Sequence, residues 1–261
     1  DNSNSSTLVF RNTSTGIGNI SLAAPFTLSF TGSSYALGVA DIDSDGLLDV
    51  ILGSTSNSSI RVFRNVSSGI GNINFAPSVE VSVSISPNDM ALADFDADGR
   101  VDIAVIPTNG NSLRVIKNTS AGAGIINFNA PLLLSLPFNF TNPSTIRLRD
   151  MNNDGKIDIV ISSSSFMVVP NISPAGSIVF GNVLSYSSAL NTAPNSFDVE
   201  DMNGDGFFDL GSHGGTALGV LENSKSLGAI ASNSFLTPIA INNALPFIQR
   251  YMPIMDLNND G

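Results

Sequence analysis

Apolar residues in this chain gather into runs of about four, and the runs return in one order along its 261 residues. In the repeat around residue 100, the run 90–93 leads into an acidic loop and the run 103–106 leaves it. The run 113–116 follows an Asn109-Gly110 turn, and the run 125–128 follows a Gly-rich turn. Runs this short, bounded by Gly, Asn, Ser and Pro, are strand-length, and no segment pairs helical spacing with helix caps. Each repeat is therefore predicted to hold four short strands. Gly and Asn supply the positive φ angles that the tight turns between them need.

An Asn that closes the third run keeps time through the chain. It recurs at Asn12, Asn65, Asn118, Asn171 and Asn223, at spacings of 53, 53, 53 and 52. A Ser/Gly stretch follows each of the first copies, then an apolar strand expected to end near Pro25, Pro77 or Pro131. Four strands in about 53 residues match one propeller blade, whereas a sandwich needs about 100 residues per unit and a β-helix a much shorter period. The expected fold is all-β, a β-propeller of four-stranded antiparallel blades. The blades are placed at 35–87, 88–141, 142–194 and 195–245, between a partial blade at 1–34 and the start of another at 246–261.

The chain opens on a third-strand marker and stops inside a loop, so it is expected to be a piece of a longer protein. A seven-bladed ring would need roughly two more repeats. Closure with five blades is the alternative, but its composite blade would lack a second strand.

The acidic loops carry the chemistry. The first holds Asp41, Asp43, Asp45, Gly46 and Asp49, and the second Asp94, Asp96, Asp98, Gly99 and Asp102. The third holds Asp150, Asn152, Asp154, Gly155 and Asp158, and the fourth Asp201, Asn203, Asp205, Gly206 and Asp209. A fifth begins with Asp256, Asn258, Asp260 and Gly261. Oxygen ligands at alternating positions 1, 3 and 5 can converge on one cation when the backbone curls, and Gly at position 6 permits the sharp turn. Position 7 would add a backbone carbonyl, from Leu47, Arg100, Lys156 or Phe207, and position 9 a further aspartate. All-oxygen ligation with several carboxylates favours Ca²⁺ over Zn²⁺ and Mg²⁺. Position 12 holds Leu52, Val105, Ile161 or Ser212 rather than Glu, which excludes an EF-hand. A metal-free Asp/Asn/Gly turn would explain one loop but not five. By carboxylate count, the first two loops should bind calcium more tightly than the next two.

The loops, their place between two short strands and the stretch Phe75-Ala76-Pro77 resemble the FG-GAP/VCBS repeat family, which includes integrin alpha-subunit propellers and many bacterial surface proteins. The resemblance implies a seven-bladed propeller with Ca²⁺ between the first two strands of a blade. It also implies adhesion, carbohydrate or protein binding, or service beside a secreted enzyme.

Charge and composition narrow the function. Of 22 acidic residues 16 lie in the loops, so the net charge of -11 is mostly ligand charge. Four divalent ions would reduce it to about -3, and the metal-free chain should repel itself. The 11 basic residues form no patch, which argues against nucleic acid, and no apolar run is long enough for membrane insertion. Cysteine is absent, so redox chemistry says nothing of compartment. The lack of a signal peptide at Asp1 fits a mature secreted chain or an internal piece.

An enzyme is not expected. The one histidine, His213, sits in Ser-His-Gly-Gly and is taken for a turn residue; the pair Asp198 and Glu200, on one strand face directly before Asp201, is taken for a support behind that loop's ligands or for channel lining rather than glycosidase chemistry. A strong lectin would offer aromatics for stacking, yet the chain has no Trp and three Tyr. Eight Asn-x-Ser/Thr triplets, at Asn4, Asn12, Asn19, Asn57, Asn65, Asn118, Asn139 and Asn171, are read as turn chemistry rather than glycosylation. The expectation is a calcium-stabilised, non-enzymatic binding or adhesion module of a larger secreted or cell-surface protein. Its ligand would be a protein or glycan on an extracellular surface, its neighbours other domains of the same chain. The alternative is a calcium-dependent carbohydrate-binding domain or an accessory module of a secreted enzyme.

Overall fold

A computed structural model describes residues 5–30, 32–69, 71–140, 145–163, 165–188, 196–214, 217–224 and 227–242. The described residues contain strands and turns and no helix. A two-stranded sheet comes first, β1 (Ser5–Val9) with β2 (Phe26–Phe30). Four sheets of four strands follow. They are β3 (Leu37–Ala40), β4 (Asp49–Ser54), β5 (Ser59–Phe63) and β6 (Val79–Ser82), then β7 (Pro87–Ala93), β8 (Asp102–Pro107), β9 (Gly110–Ile116) and β10 (Leu132–Phe140). The third holds β11 (Thr145–Arg149), β12 (Asp158–Ser162), β13 (Phe166–Val169) and β14 (Leu184–Tyr186), the fourth β15 (Ser196–Glu200), β16 (Asp209–Gly214), β17 (Ala217–Leu221) and β18 (Ile239–Asn242). In each, chain order is spatial order and every pair is antiparallel, so the sheets are meanders of the kind that form propeller blades.

Burial explains the order. The second strands β4, β8 and β12 are buried along their whole length, because both of their faces are covered by neighbouring sheets. Hence they read as continuous apolar runs rather than as alternating ones. One core joins Ile51, Ile60 and Val62 of the first four-stranded sheet to Ile103, Val105 and Ile116 of the second. The next joins Ala104, Leu113 and Val115 to Ile159, Ile161 and Met167, and a third joins Val160, Phe166 and Val168 to Phe197, Leu210 and Leu221. Burying each large aliphatic side chain contributes about 2 kcal/mol. Sheets approach closely at Gly38 and Gly53, where an added Cβ would stand 2.7 Å from Leu92 Cδ1 and from Pro87 Cβ.

The first three strands of the repeat fall where the apolar runs predict them, and the fourth does not. Residues 125–128 make only isolated bridges, Gly122 with Ile125 and Asn118 with Phe128. The fourth strand is β10, which pairs with β9 and begins beyond Pro131 rather than ending near it. The β-branched run at 125–126 has the composition of a strand, but Ile125 and Phe128 pair only locally, with Gly122 and Asn118, and close a tight turn instead of extending a ladder. His213 is also corrected: it lies within β16, paired with Ser196 and Leu218, and is buried rather than set in a turn. The Gly pair after it resembles a turn, yet the strand continues to Gly214.

Candidate metal centre

Each acidic loop joins the first strand of a sheet to the second, and four of the five lie within the described residues. Position 1 organises the backbone. The carboxylate of Asp41 accepts hydrogen bonds from the N–H groups of Asp45 (3.1 Å) and Gly46 (2.8 Å). Asp94, Asp150 and Asp201 accept the corresponding pairs at the same two distances. Position 5 does likewise at shorter range, with Asp45, Asp98, Asp154 and Asp205 accepting from the N–H of position 7 at 2.8 to 3.0 Å. The curl needs two left-handed residues. Gly46, Gly99, Gly155 and Gly206 supply one at φ of 83° to 88°, and position 4 supplies the other, at Ser44 (58°), Ala97 (53°), Asn153 (54°) and Gly204 (74°).

Position 9 is a clasp as well as a candidate ligand. Asp49 is buried, and its two carboxylate oxygens accept from Ile42 N at 2.9 Å and Asn65 N at 2.8 Å. Asp102 accepts from Phe95 and Asn118, Asp158 from Met151 and Asn171, and Asp209 from Met202 and Asn223. A carboxylate oxygen has a second lone pair, so these bonds leave capacity for a cation. Burial pushes the Asp102 carboxyl up to about 6 and that of Asp158 to about 7, against the pull of their backbone hydrogen bonds. Burial also raises Asp49 and Asp209. A group that resists ionising when buried is stabilised in its charged form by a cation.

The first two loops meet the chemical test for such a cation. Asp41, Asp43 and Asp49 each bring a carboxylate oxygen within 4.8 Å of the others, as do Asp94, Asp96 and Asp102. Asp43 Oδ1 and Asp96 Oδ1 are buried and have no hydrogen-bond partner among the described residues. Asn replaces the position 3 carboxylate in the other two loops. There Asn152 Oδ1 accepts from Asp154 N at 3.2 Å, and Asn203 Oδ1 from Asp205 N at 3.0 Å. Asp256, Asn258 and Asp260 lie outside the described residues.

The marker Asn does more than turn the chain. Its Oδ1 accepts from the N–H two residues on, at Ser67, Ser120 and Ser173. Its Nδ2 reaches into the preceding sheet's loop: Asn118 donates to Ile42 O at 2.8 Å, Asn171 to Phe95 O at 2.8 Å and Asn223 to Met151 O at 2.9 Å. These three carbonyls are position 2 of the previous loops. Asn118 and Asn171 are buried with their amide nitrogens engaged, which leaves a glycan no room there. The Gly-rich turn after each marker also rests on the preceding loop, with Gly124 N donating to Asp43 Oδ2, Gly176 N to Asp96 O and Gly228 N to Asn152 O. The regular spacing of the Asn hinted at its importance, but its partner lies more than 70 residues away and is invisible in sequence. Asp198 and Glu200 face Arg147 and Arg149 of the sheet before, at 3.7 and 2.6 Å.

Propeller-like blades joined through acidic, oxygen-lined loops define a class of repeat protein. A family model described as the FG-GAP-like repeat matches residues 41–105 and again 94–161, each match opening on the first aspartate of a loop. Residues 41–161 are thus similar to FG-GAP-like repeats. No curated protein matches its sequence. Among solved structures, a functionally unknown protein from Desulfotomaculum acetoxidans is similar at 13% identity and a TM-score of 0.49, over 92% of this chain and 65% of its own. A Tc holotoxin pore from Photorhabdus luminescens is similar at 14% identity and a TM-score of 0.32, over 91% of this chain and 15% of its own. The chain spans less than two thirds of either relative.

Proposed function

We propose that this chain is a calcium-stabilised β-propeller segment that serves a larger secreted or cell-surface protein as a non-enzymatic binding or adhesion module. The observation that carries the calcium reading is the pair of buried, partnerless carboxylate oxygens at Asp43 and Asp96, each set among other carboxylates. Leaving a carboxylate oxygen buried without a partner is costly, and a hard divalent cation with flexible oxygen coordination removes the cost. Asp41, Asp43, Asp45 and Asp49 would hold the ion in the first loop, and the matching residues of the other loops would hold theirs. When bound, the ion supplies charge compensation and a fixed hairpin. Its role is structural rather than regulatory, because each of the first three loops is also the floor on which the next sheet's Gly-rich turn rests.

Extracellular placement follows from supply, since modules of this kind bind calcium at roughly 10⁻⁴ to 10⁻³ M. The ligand would be a protein or glycan, and a ring of seven blades is the arrangement the family favours. Engagement of Asp198 and Glu200 by arginines supports a non-enzymatic role. Melting in calcium against chelator tests the calcium reading. Filled loops should raise the melting temperature by on the order of 10 °C, and chelation that leaves it unchanged sinks the proposal.

A further inference from the structure

The loops differ in a way that their acidic pattern hides. In three of the four-stranded sheets the residue before the marker Asn directs its side chain at the loop of its own sheet. In the first four-stranded sheet this is Arg64, whose Nη1 lies 3.8 Å from Asp43 Oδ2 and 3.9 Å from Asp45 Oδ2. In the second it is Lys117. Its Nζ donates to Asp96 Oδ2, stands 2.8 Å from Asp98 Oδ2, and bonds Gly176 O of the next sheet at 2.9 Å. In the third sheet the position holds Pro170. In the fourth it holds Glu222, whose Oε1 accepts from Asn203 Nδ2 at 3.2 Å. A basic side chain therefore accompanies each loop that has Asp at position 3, and neither loop with Asn there has one at this place.

We propose that Lys117 is a resident counter-cation of the second loop, holding it together without metal and obliging calcium to displace it. The inference rests on the calcium reading above. Lys117 meets one oxygen of Asp96 and leaves the other, Oδ1, buried without a partner among the described residues, so the two cations would share one carboxylate. An ammonium held that close to a divalent ion, in a site largely shielded from water, repels it strongly. Arg64 plays the same part in the first loop at longer range. Glu222 plays the opposite part in the fourth, adding a negative charge beside Asn203. Carboxylate count alone places the first two loops above the others in affinity; the added side chains reverse that order, with the fourth loop tightest and the second weakest. Displacing Lys117 also breaks its bond to Gly176, so calcium entry there exchanges one contact with the third sheet for a filled loop.

The test compares wild type, Lys117→Met and Glu222→Lys by calcium titration calorimetry and by melting in chelator. Lys117→Met should melt several degrees lower in chelator and bind calcium about tenfold more tightly at one site. Glu222→Lys should do the reverse, melting higher in chelator and binding about tenfold more weakly at one site. Calcium binding by wild type that Lys117→Met leaves unchanged or weakens overturns the inference and spares the calcium reading. No binding by wild type overturns both. A Lys117→Met chain that folds only with calcium is the expected result in its strongest form. If it folds in neither condition, Glu222→Lys decides alone, and unchanged affinity there overturns the inference.

Discussion

Position 4 of each loop shows what a single residue gives up to make the site. Ala97 holds φ at 53° in a conformation that costs an L-residue about 1 kcal/mol or more, while Gly204 takes the same place in the fourth loop without penalty. The curl brings the N–H groups of positions 5 and 6 onto the position 1 carboxylate, and those bonds offset the strain. Ala97→Gly should therefore stabilise the protein by about 0.5 kcal/mol, the relief of strain being partly cancelled by a freer unfolded chain. Urea denaturation in calcium measures it, and a loss of stability would show that Ala97 is not strained.

Between elements, the marker Asn is the residue on which neighbouring sheets depend. Asn171 ties its own turn through Ser173 N, receives Asp158 through its backbone N–H, and donates to Phe95 O in the previous sheet. Alanine at this position would strand a buried carbonyl and a buried N–H together. The expected cost for Asn171→Ala is about 3 kcal/mol, read as a lower denaturation midpoint with an unchanged slope. A cost below about 1 kcal/mol would mean that water replaces both bonds. Asn65 offers an internal comparison, since its Nδ2 donates to Leu48 O in its own sheet. A milder effect is expected of Asn65→Ala.

For the molecule as a whole, charge concentrated in the loops makes stability depend on pH and metal together. Asp102 and Asp158 hold their protons in the folded state up to about 6 and about 7, above the ordinary value of 3.8. Below 3.8 folded and unfolded chains are both protonated, and between 3.8 and about 7 only the folded chain keeps these protons. Their contribution is thus fully present at low pH and is lost as pH rises through that window. Metal-free protein should melt several degrees lower at pH 8 than at pH 5.5, and calcium should flatten the dependence by stabilising the ionised forms. Asp98, held low by Lys117 against its partial burial, matters only on the acid side of this window. A melting temperature that climbs from pH 5.5 to 8 in metal-free buffer would contradict the assignment.

The spacing of Asp, Asn and Gly determined the loops, because ligands at alternating positions and a left-handed turn are local properties that a few consecutive residues carry. The apolar runs likewise determined the first three strands of each repeat, since the second strand is buried on both faces and its sequence says so. The fourth strand was legible only in three dimensions. Residues 125–128 have the right composition, but Leu132–Phe140 has the partner, and pairing with β9 is decided by where the turn delivers the chain. The same holds for Asn118, Asn171 and Asn223, whose amides find carbonyls in a sheet more than 70 residues earlier. It holds for Lys117 too, which in sequence is one scattered basic residue and in the fold lies between two aspartates and the neighbouring sheet. Local geometry is written in neighbouring residues, whereas the meeting of sheets depends on closure of the whole repeat, which no short segment encodes.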